Sequence, residues 1–223
     1  IDGNENLNDW ATSGEFTDKI KFNKNNPTLF IDGNVGNIEL SGKIHEKDSG
    51  IGIINKSGTA TTQLSANDNS YQGDINITAG TIELIGAGVL VESGTYSGAI
   101  FLDSNGTMSF NTSEGQTMSG ALTGTGSLVK DNTGTLTLSG SNTFTGSTTI
   151  DGGILEVQGG AAMGDTGIVT VNSGGTFEVD NNETIGRISG AGNLTLNAIL
   201  TTGDAPNNGF SGNISGTGGL TKQ

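Results

Sequence analysis

The chain lacks cysteine altogether, and it contains only two prolines, one histidine and a 5% share of aromatic residues among its 223 positions. The absence of cysteine excludes disulfides and thiolate metal sites, and it suits a chain that crosses a cell envelope unfolded. No apolar run approaches the roughly 18 residues of a membrane helix, and no signal peptide opens the sequence. We therefore interpret the sequence as a mature fragment.

Positive charge is scarce, because 9 Lys and Arg stand against 23 Asp and Glu and give a net charge of −14. Six of the nine basic residues lie within the first 56 positions, so the rest of the chain is strongly acidic. Phosphate backbones and anionic lipids require clustered Lys and Arg. The balance excludes nucleic acid as a partner and predicts no membrane insertion of this fragment.

Helical periodicity is missing as well, since no window of about 12 residues carries the 3.6-residue repeat of apolar positions. Glycine is abundant instead, at 39 of 223 residues, and it separates short Val, Ile and Leu runs. Disordered chains lack such runs, and collagen needs glycine at every third position. The composition therefore predicts an all-β protein of many short strands and tight turns.

Internal repeats organise the sequence. Residues 65–84 align without a gap on residues 138–157, which pairs Asn69 with Asn142 and Tyr71 with Phe144. The Asn-x-aromatic-x-Gly turn recurs at 208–212, and a Gly-x-Gly-x-Leu pattern recurs at 124–128, 190–194 and 216–220. Such self-similarity is typical of a solenoid, in which each unit buries its apolar face against the next.

The spacing of like features, 25 or 26 residues for the shorter repeat, predicts a parallel β-helix with three strands in each coil and about nine coils. Alternation of apolar and polar residues predicts which side chains point into the coil. These inward residues are Leu136, Leu138, Ile150, Leu155 and Val157. Strands are expected at 37–41, 51–55, 60–64, 74–78, 81–85, 88–92, 99–103, 107–110, 127–130, 135–139, 147–150, 154–157, 168–172, 176–179, 194–197 and 213–215.

Residues 1–35 differ from the rest, because they hold four of the eleven aromatic residues and do not match the repeat. They are predicted to form an N-terminal cap or an irregular first coil, both of which would close the end of a solenoid. Residues 36–223 are predicted to be β-helix repeats truncated at the C-terminus, since 216–223 begins another copy of the unit at 124–131.

Catalytic, cofactor and metal sites are not indicated. His45 and Ser49 stand near an Asp-Ser-Gly sequence, but Lys47 replaces the usual preceding glycine, and a triad needs its base on a separate element. Neither 151–153 nor 180–183 supplies the Gly-Gly-x-Gly-x-Asp repeat of calcium-binding β-helices. The acidic residues indicate scattered surface charge. We therefore predict no catalytic, cofactor-binding or metal-binding residue, no cofactor, and no enzyme activity.

Residues 124–157 carry Gly-x-Gly-x-Leu-x-Lys, then Gly-Thr-Leu-x-Leu-x-Gly, Asn-Thr-Phe-x-Gly and Thr-x-Ile-x-Gly-Gly-x-Leu-x-Val. This order resembles the passenger-associated transport repeat of bacterial type V autotransporters, and the resemblance is recognisable at 54–84 and partial at 190–223. It implies a passenger domain folded as a right-handed parallel β-helix, located on the outer membrane facing outward or secreted. It also implies a translocator barrel elsewhere in the full-length protein.

The resemblance favours a non-enzymatic stalk that acts in adhesion or self-association, with a host-cell surface, a glycan or a second passenger as its partner. Two alternatives stay open. A glycan-cleaving β-helix enzyme would require a cleft lined by convergent carboxylates. An ice-binding-type flat-face binder would require a regular threonine array, whereas the Thr-x-Thr pairs at 59–61 and 135–137 do not recur in every coil.

Overall fold

The structure is a computed structural model that describes residues 5–6, 14–16, 20–22, 28–32, 37–46, 52–92, 94–203 and 209–223. These residues form strands, turns and bends, and they include no helix that could cross a membrane. The strands are β1 Glu5–Asn6, β2 Gly14–Phe16, β3 Ile20–Phe22, β4 Thr28–Ile31, β5 Ile38–Leu40, β6 Ile44–Glu46, β7 Ile53–Lys56, β8 Thr61–Leu64, β9 Asp74–Gly86, β10 Thr95–Tyr96, β11 Ile100–Thr112, β12 Gln116–Met118, β13 Leu122–Gly124, β14 Ser127–Asp131, β15 Thr135–Leu138, β16 Ser147–Ile150, β17 Gly153–Val157, β18 Ile168–Val171, β19 Gly175–Val179, β20 Glu183–Ile185, β21 Arg187–Gly190, β22 Asn193–Leu196, β23 Ile199–Thr202, β24 Asn213–Gly216 and β25 Gly219–Lys222.

The strands wind into a parallel β-helix of about nine coils, as predicted from the sequence. Every ladder between named strands is parallel, and successive strands along the chain pass to another face rather than folding back. Face one begins with β1, β4 and β7 and is continued by the first half of β9. Face two contains β8, β14, β16, β18 and β21, whereas face three contains β12, β15, β17, β19, β22 and β24. In the last coils β20, β23 and β25 each follow a strand of face three in chain order, where face one is expected.

Two long strands turn the corner between faces without a break. The first part of β9 pairs with β7 on face one, and its second part pairs with β8 on face two. In the same way β11 pairs with β13 and then with β14. The sequence indicates separate strands at 74–78 and 81–85, and the structure joins them because the backbone stays extended through the corner.

The core is one narrow column of apolar side chains that fills the interior of the coils. The five predicted inward residues are all buried, with at most 1% of their surface exposed, which confirms the alternation argument. Full burial of such a side chain contributes roughly 1.5–3 kcal/mol. The strand burial pattern alternates, as in β15 and β17, because successive side chains point to opposite sides.

Coil length varies more than the sequence suggests. Partner residues in successive coils are 17 to 26 positions apart, as in Thr176–Asn193 and Thr81–Thr107. The expected 26-residue match of Leu194 with Leu220 is wrong as a coil period, because Leu194 pairs with Ile214 and Leu220 pairs with Leu200. The shared Gly-x-Gly-x-Leu pattern reflects a common corner geometry instead.

That corner is built on a glycine in the left-handed region. Gly124, Gly190 and Gly216 have φ angles of 103°, 109° and 104°, and a Cβ on any of them would approach a carbonyl oxygen of the previous coil to 2.1 Å or less. Only glycine fits such a backbone. Because these residues end strands on faces one, two and three in that order, the same motif turns three different corners.

The longer repeat, which comprises residues 54–84 and 124–157, is rotated around the axis in the same way. Its first copy begins with β7 on face one, and its second copy begins with β14 on face two. Equivalent positions of the two copies therefore face different sides of the rod. The assignment of residues 1–35 to a cap or an irregular first coil stays a prediction.

Candidate interaction surfaces

Each copy of the longer repeat contains a lysine turned into the solenoid. Lys56 is the last residue of β7 and Lys130 is the next-to-last residue of β14, and each is only 1% exposed. Lys130 Nζ donates to the carbonyl oxygens of Asp131, Asn132 and Gly152 at 2.6, 3.1 and 3.3 Å. Burial lowers the pKa of both lysines to about 8, and the nearby charge of Asp32 or Asp131 opposes this shift. These ammonium groups donate hydrogen bonds to carbonyl oxygens at the corners of the solenoid, and they do not point toward an external binding partner.

The asparagine of the turn motif is also buried, and it links three successive coils. Asn142 Oδ1 accepts from Leu122 N at 2.7 Å, and its Nδ2 donates to Ala162 O at 2.7 Å. Asn69 repeats the arrangement, with Ile44 N as donor at 2.6 Å and Val89 O as acceptor at 2.8 Å. The side chain therefore replaces ladder bonds where the turn interrupts the strand.

The aromatic residue of the turn completes this internal clamp. Tyr71 Oη donates to Asp74 O at 2.7 Å and lies 3.1 Å from Gly52 O, which can share the same proton, and Tyr96 Oη donates to Gly73 O. The two rings stack with centroids 6.3 Å apart. Phe144 occupies the equivalent place without a hydroxyl and is fully buried. The residues that define the repeat therefore hold coils together and are unavailable to ligands.

Outward positions of face two form the most regular polar surface. One row of outward residues on face two carries a hydroxyl group in each of five neighbouring coils. We call this row the hydroxyl face, and its members are Thr61, Thr81, Thr107, Ser127 and Ser147. The last two hydroxyls lie 3.1 Å apart, and neighbouring strands are about 4.8 Å apart. This gives a straight line of hydrogen-bonding groups along the rod.

The adjacent outward row on face two is less uniform. It consists of Gln63, Glu83, Ser109, Val129 and Thr149. Glu83 accepts from Gln63 Nε2 at 3.0 Å and from Asn111 Nδ2 at 3.2 Å. Because a carboxylate and a valine interrupt the row, the surface lacks the regular two-row threonine array that the ice-binding alternative requires.

Two carboxylates that the sequence treats as scattered charge are in register on face three. Glu156 lies beside Glu178 on β17 and β19. Glu156 accepts from Thr137 Oγ1 and from Gln158 Nε2, both at 2.7 Å. These donors compensate for like charges in adjacent strands, which otherwise destabilise a sheet. The pair lies on an outward strand surface and not in a cleft.

One carboxylate is buried. Glu183 is 3% exposed, and its Oε2 accepts from Ala162 N at 2.9 Å. Burial raises the pKa of Glu183, whereas backbone hydrogen bonds from Ala162, Thr184 and Met163 act in the opposite direction. A buried carboxyl with backbone donors holds the neighbouring loop against β20, so its altered pKa has a structural cause.

Two open grooves lie on the flank of the rod. One has a volume of about 300 Å³ and lies beside the Asn142 turn, where Thr143, Thr145 and Asp165 line it. The other has a volume of about 440 Å³. We call it the Arg187 groove, and its polar lining consists of Thr170, Asn172, Arg187, Ser189 and Ser211.

The residues considered as sites from the sequence are not assembled into one. His45 lies in β6, which pairs with β3, and Ser49 lies outside the described residues. Asp151 accepts from Asn172 Nδ2 at 2.6 Å, and Asp180 accepts from Asn197 Nδ2 at 2.8 Å. Within the part of the chain that the structure describes, no group of three His, Cys, Asp or Glu could hold a metal ion. The absence of catalytic and metal-binding residues stays a prediction.

Sequence reasoning missed the inward lysines and asparagines as well as the groove. The lysines had a signal, because Lys130 ends the quoted Gly-x-Gly-x-Leu-x-Lys pattern and the equivalent Lys56 ends an alternating strand. The asparagines recur in the turn motif, but recurrence alone does not distinguish an inward side chain from an outward one. No sequence signal predicted the groove around Arg187, which is formed by strands of different coils.

Comparison with known proteins identifies the repeat. A family model described as the passenger-associated-transport-repeat matches residues 54–84 and 128–157. Over 179 residues the chain is 31% identical to a protein named Adhesin BmaC autotransporter from Brucella suis biovar 1 (strain 1330). That match covers 66% of this chain and 5% of the Brucella protein, so the chain spans a small part of its relative. No solved structure matches the chain.

Proposed function

Because the chain belongs to the passenger domains of bacterial type V autotransporters that carry this transport repeat, we propose that it is a non-enzymatic β-helical stalk acting in adhesion or self-association. A passenger of this kind is located at the bacterial cell surface or is secreted. The relative is named an adhesin, and this name supports a role in surface contact. The proposed partners are a host-cell surface, a glycan or a second passenger, and a translocator barrel is proposed for the full-length protein.

The hydroxyl face is the observation that carries this proposal. Hydroxyl groups both donate and accept hydrogen bonds, so a row of them can bind a second identical row without charge complementarity. Each contact is weak, but a row repeated over five coils and over many displayed copies makes the association multivalent. Such a surface suits contact between two rods that lie side by side.

Electrostatic repulsion opposes this contact. The net charge of −14 makes two copies repel each other, and Glu83 lies directly beside the hydroxyl face. Salt screens exposed charges over about 10 Å at 0.1 M. Association through the hydroxyl face should therefore strengthen as the salt concentration rises from low values.

The test compares cells that display the chain with cells that do not, using settling and host-cell binding across a series of salt concentrations. Cells with the chain should settle faster, and the difference should grow with salt. The double variant Thr81→Glu and Ser127→Glu places two carboxylates in the hydroxyl face and should abolish the gain. The double variant Thr117→Glu and Thr176→Glu is the matched control, because it adds two carboxylates at outward positions of face three.

The proposal fails if displaying cells settle and bind host cells no more than cells without the chain at every salt concentration. Equal loss of settling in the face-two and face-three variants would also count against it, because that result would reflect added charge and not the hydroxyl face. Thermal unfolding of the purified variants establishes that each remains folded.

A further inference from the structure

Arg187 is an unusual cation in this acidic chain. It begins β21 on face two and lines the Arg187 groove. Within the described residues its side chain makes no hydrogen bond and no ion pair, and its Nε is inaccessible to solvent without a partner. Lys43, in contrast, pairs with Asp68 at 3.8 Å, and Lys56 and Lys130 bind corner carbonyls.

The groove around this guanidinium is polar and open. Thr170 and Ser189 stand in register on β18 and β21, with their hydroxyl oxygens 3.2 Å apart. Ser211 Oγ donates to Gly190 O at 3.3 Å, which leaves its oxygen able to accept from a ligand. Asn172 donates to Asp151 at 2.6 Å, and its amide oxygen can also accept. The volume of about 440 Å³ is within the range of small-molecule sites.

We propose that the Arg187 groove binds a carboxylate-bearing sugar of a surface polysaccharide. A guanidinium presents a planar fork of donors that matches a carboxylate, and a single fork suits a group with one negative charge. Hydroxyl and amide groups around the fork match the many hydroxyls of a sugar ring. Binding would give the guanidinium the anionic partner that it lacks among the described residues.

The lining argues against two other anionic ligands. A phosphate group carries more charge than one guanidinium neutralises, and among the described residues no second Lys or Arg lines the groove. An acidic peptide would need pockets for apolar or aromatic anchors in addition to its carboxylates, and the groove supplies small polar groups instead. The inference concerns the groove and not the hydroxyl face, so it holds whether or not two rods associate.

The test is titration of the purified chain with D-glucuronate, followed by NMR of the amides around β18 and β21. D-Glucuronate should bind, whereas its neutral methyl ester and D-glucose should bind about tenfold more weakly, because one charge-assisted hydrogen-bonded pair is lost. Arg187→Gln should reduce the affinity for D-glucuronate about tenfold as well. Arg187→Lys keeps the positive charge but lacks the planar fork of donors. Its affinity for D-glucuronate should therefore lie between those of the original chain and of Arg187→Gln.

Lys222→Gln is the matched control, since it changes the net charge by the same amount on a strand that does not line the groove. It should leave the affinity within about twofold of the unchanged chain. The inference is overturned if D-glucuronate and its methyl ester bind equally, if Arg187→Gln binds like the original chain, or if both charge variants weaken binding equally. Tighter binding of inorganic phosphate or of a glutamate-rich peptide would also overturn it. Thermal unfolding shows that each variant is folded.

Discussion

Replacing Asn142 by leucine tests whether the buried asparagine of the repeat holds the coils together. The side chain is 5% exposed and bonds to one coil on each side. Leucine has a similar size and is compatible with the apolar surroundings, but it can neither accept from Leu122 N–H nor donate to Ala162 C=O. Both backbone groups would then be buried without their side-chain partner.

The expected loss follows from those two groups. An unsatisfied buried donor or acceptor costs about 1–3 kcal/mol, so two cost about 2–6 kcal/mol before any relaxation. The apolar side chain offsets part of this through burial. We expect Asn142→Leu to lower the free energy of unfolding by about 3 kcal/mol, which is large for a single substitution.

Denaturant unfolding and hydrogen exchange together measure this effect. A solenoid can open locally, so exchange at the Leu122 amide should accelerate more than exchange in coils far from Asn142. Asn172→Leu is the control, because Asn172 is exposed and, among the described residues, its side chain bonds to Asp151 alone; its effect should stay within about 0.5 kcal/mol. An unchanged unfolding midpoint and unchanged exchange at Leu122 in Asn142→Leu would refute the bridging role.

Two further substitutions test the interior. Lys130→Met should destabilise the fold, because three carbonyls lose their ammonium partner. Burial lowers the pKa of Lys130 to about 8 from 10.5, so the unfolded chain binds more protons between these values and stability contributed by this group rises with pH there. The stability gap between the original chain and Lys130→Met should therefore widen from about pH 8 to 10.5, and a constant gap in denaturant titrations would contradict the assignment. Leu155→Asp should unfold its coil, since Leu155 is 0% exposed and a buried unpaired carboxylate costs several kcal/mol. Ile154→Asp, at the neighbouring outward position, is the control, and equal thermal unfolding of the two variants would show that the inward assignment is wrong.

Apolar alternation predicted the architecture because a two-residue period identifies one buried face of a strand directly. Strands β15 and β17 were predicted within one residue of their ends, and their inward leucines and valine are buried. The predicted strand at 88–92 is instead irregular backbone with one isolated bridge at Val91. Its apolar run has no alternation, and burial of Val89 and Leu90 explains the composition without a strand.

Short strands with few apolar residues were missed. The strands β12, β13 and β20 have three residues each, and their side chains include Gln116 and Glu183, which are polar but buried. Two or three residues cannot show a convincing period. The glycine, serine and threonine content that predicts turns elsewhere conceals these strands.

The candidate surfaces could not be predicted for a different reason. Which residues become neighbours across coils depends on the length of each coil, and that length varies from 17 to 26 residues. A fixed spacing of 25 or 26 residues would have placed Ser127 beside Gly152 or Gly153 rather than beside Ser147. The hydroxyl face and the Arg187 groove can therefore be identified only when the register of the strands is known.

Because the repeat is rotated around the axis, its shared residues build the β-helix and do not form a binding site on one side of the rod. If the repeat itself carried a binding site, equivalent residues of its two copies would have to face the same side, but β7 and β14 begin the copies on different faces. Its recurring Lys and Asn side chains are turned inward and occupied by backbone groups of neighbouring coils. The proposed contacts use outward residues that the two copies do not share. Thr81 and Ser147 are such residues within the matched segments, and Thr107 and Arg187 lie outside them.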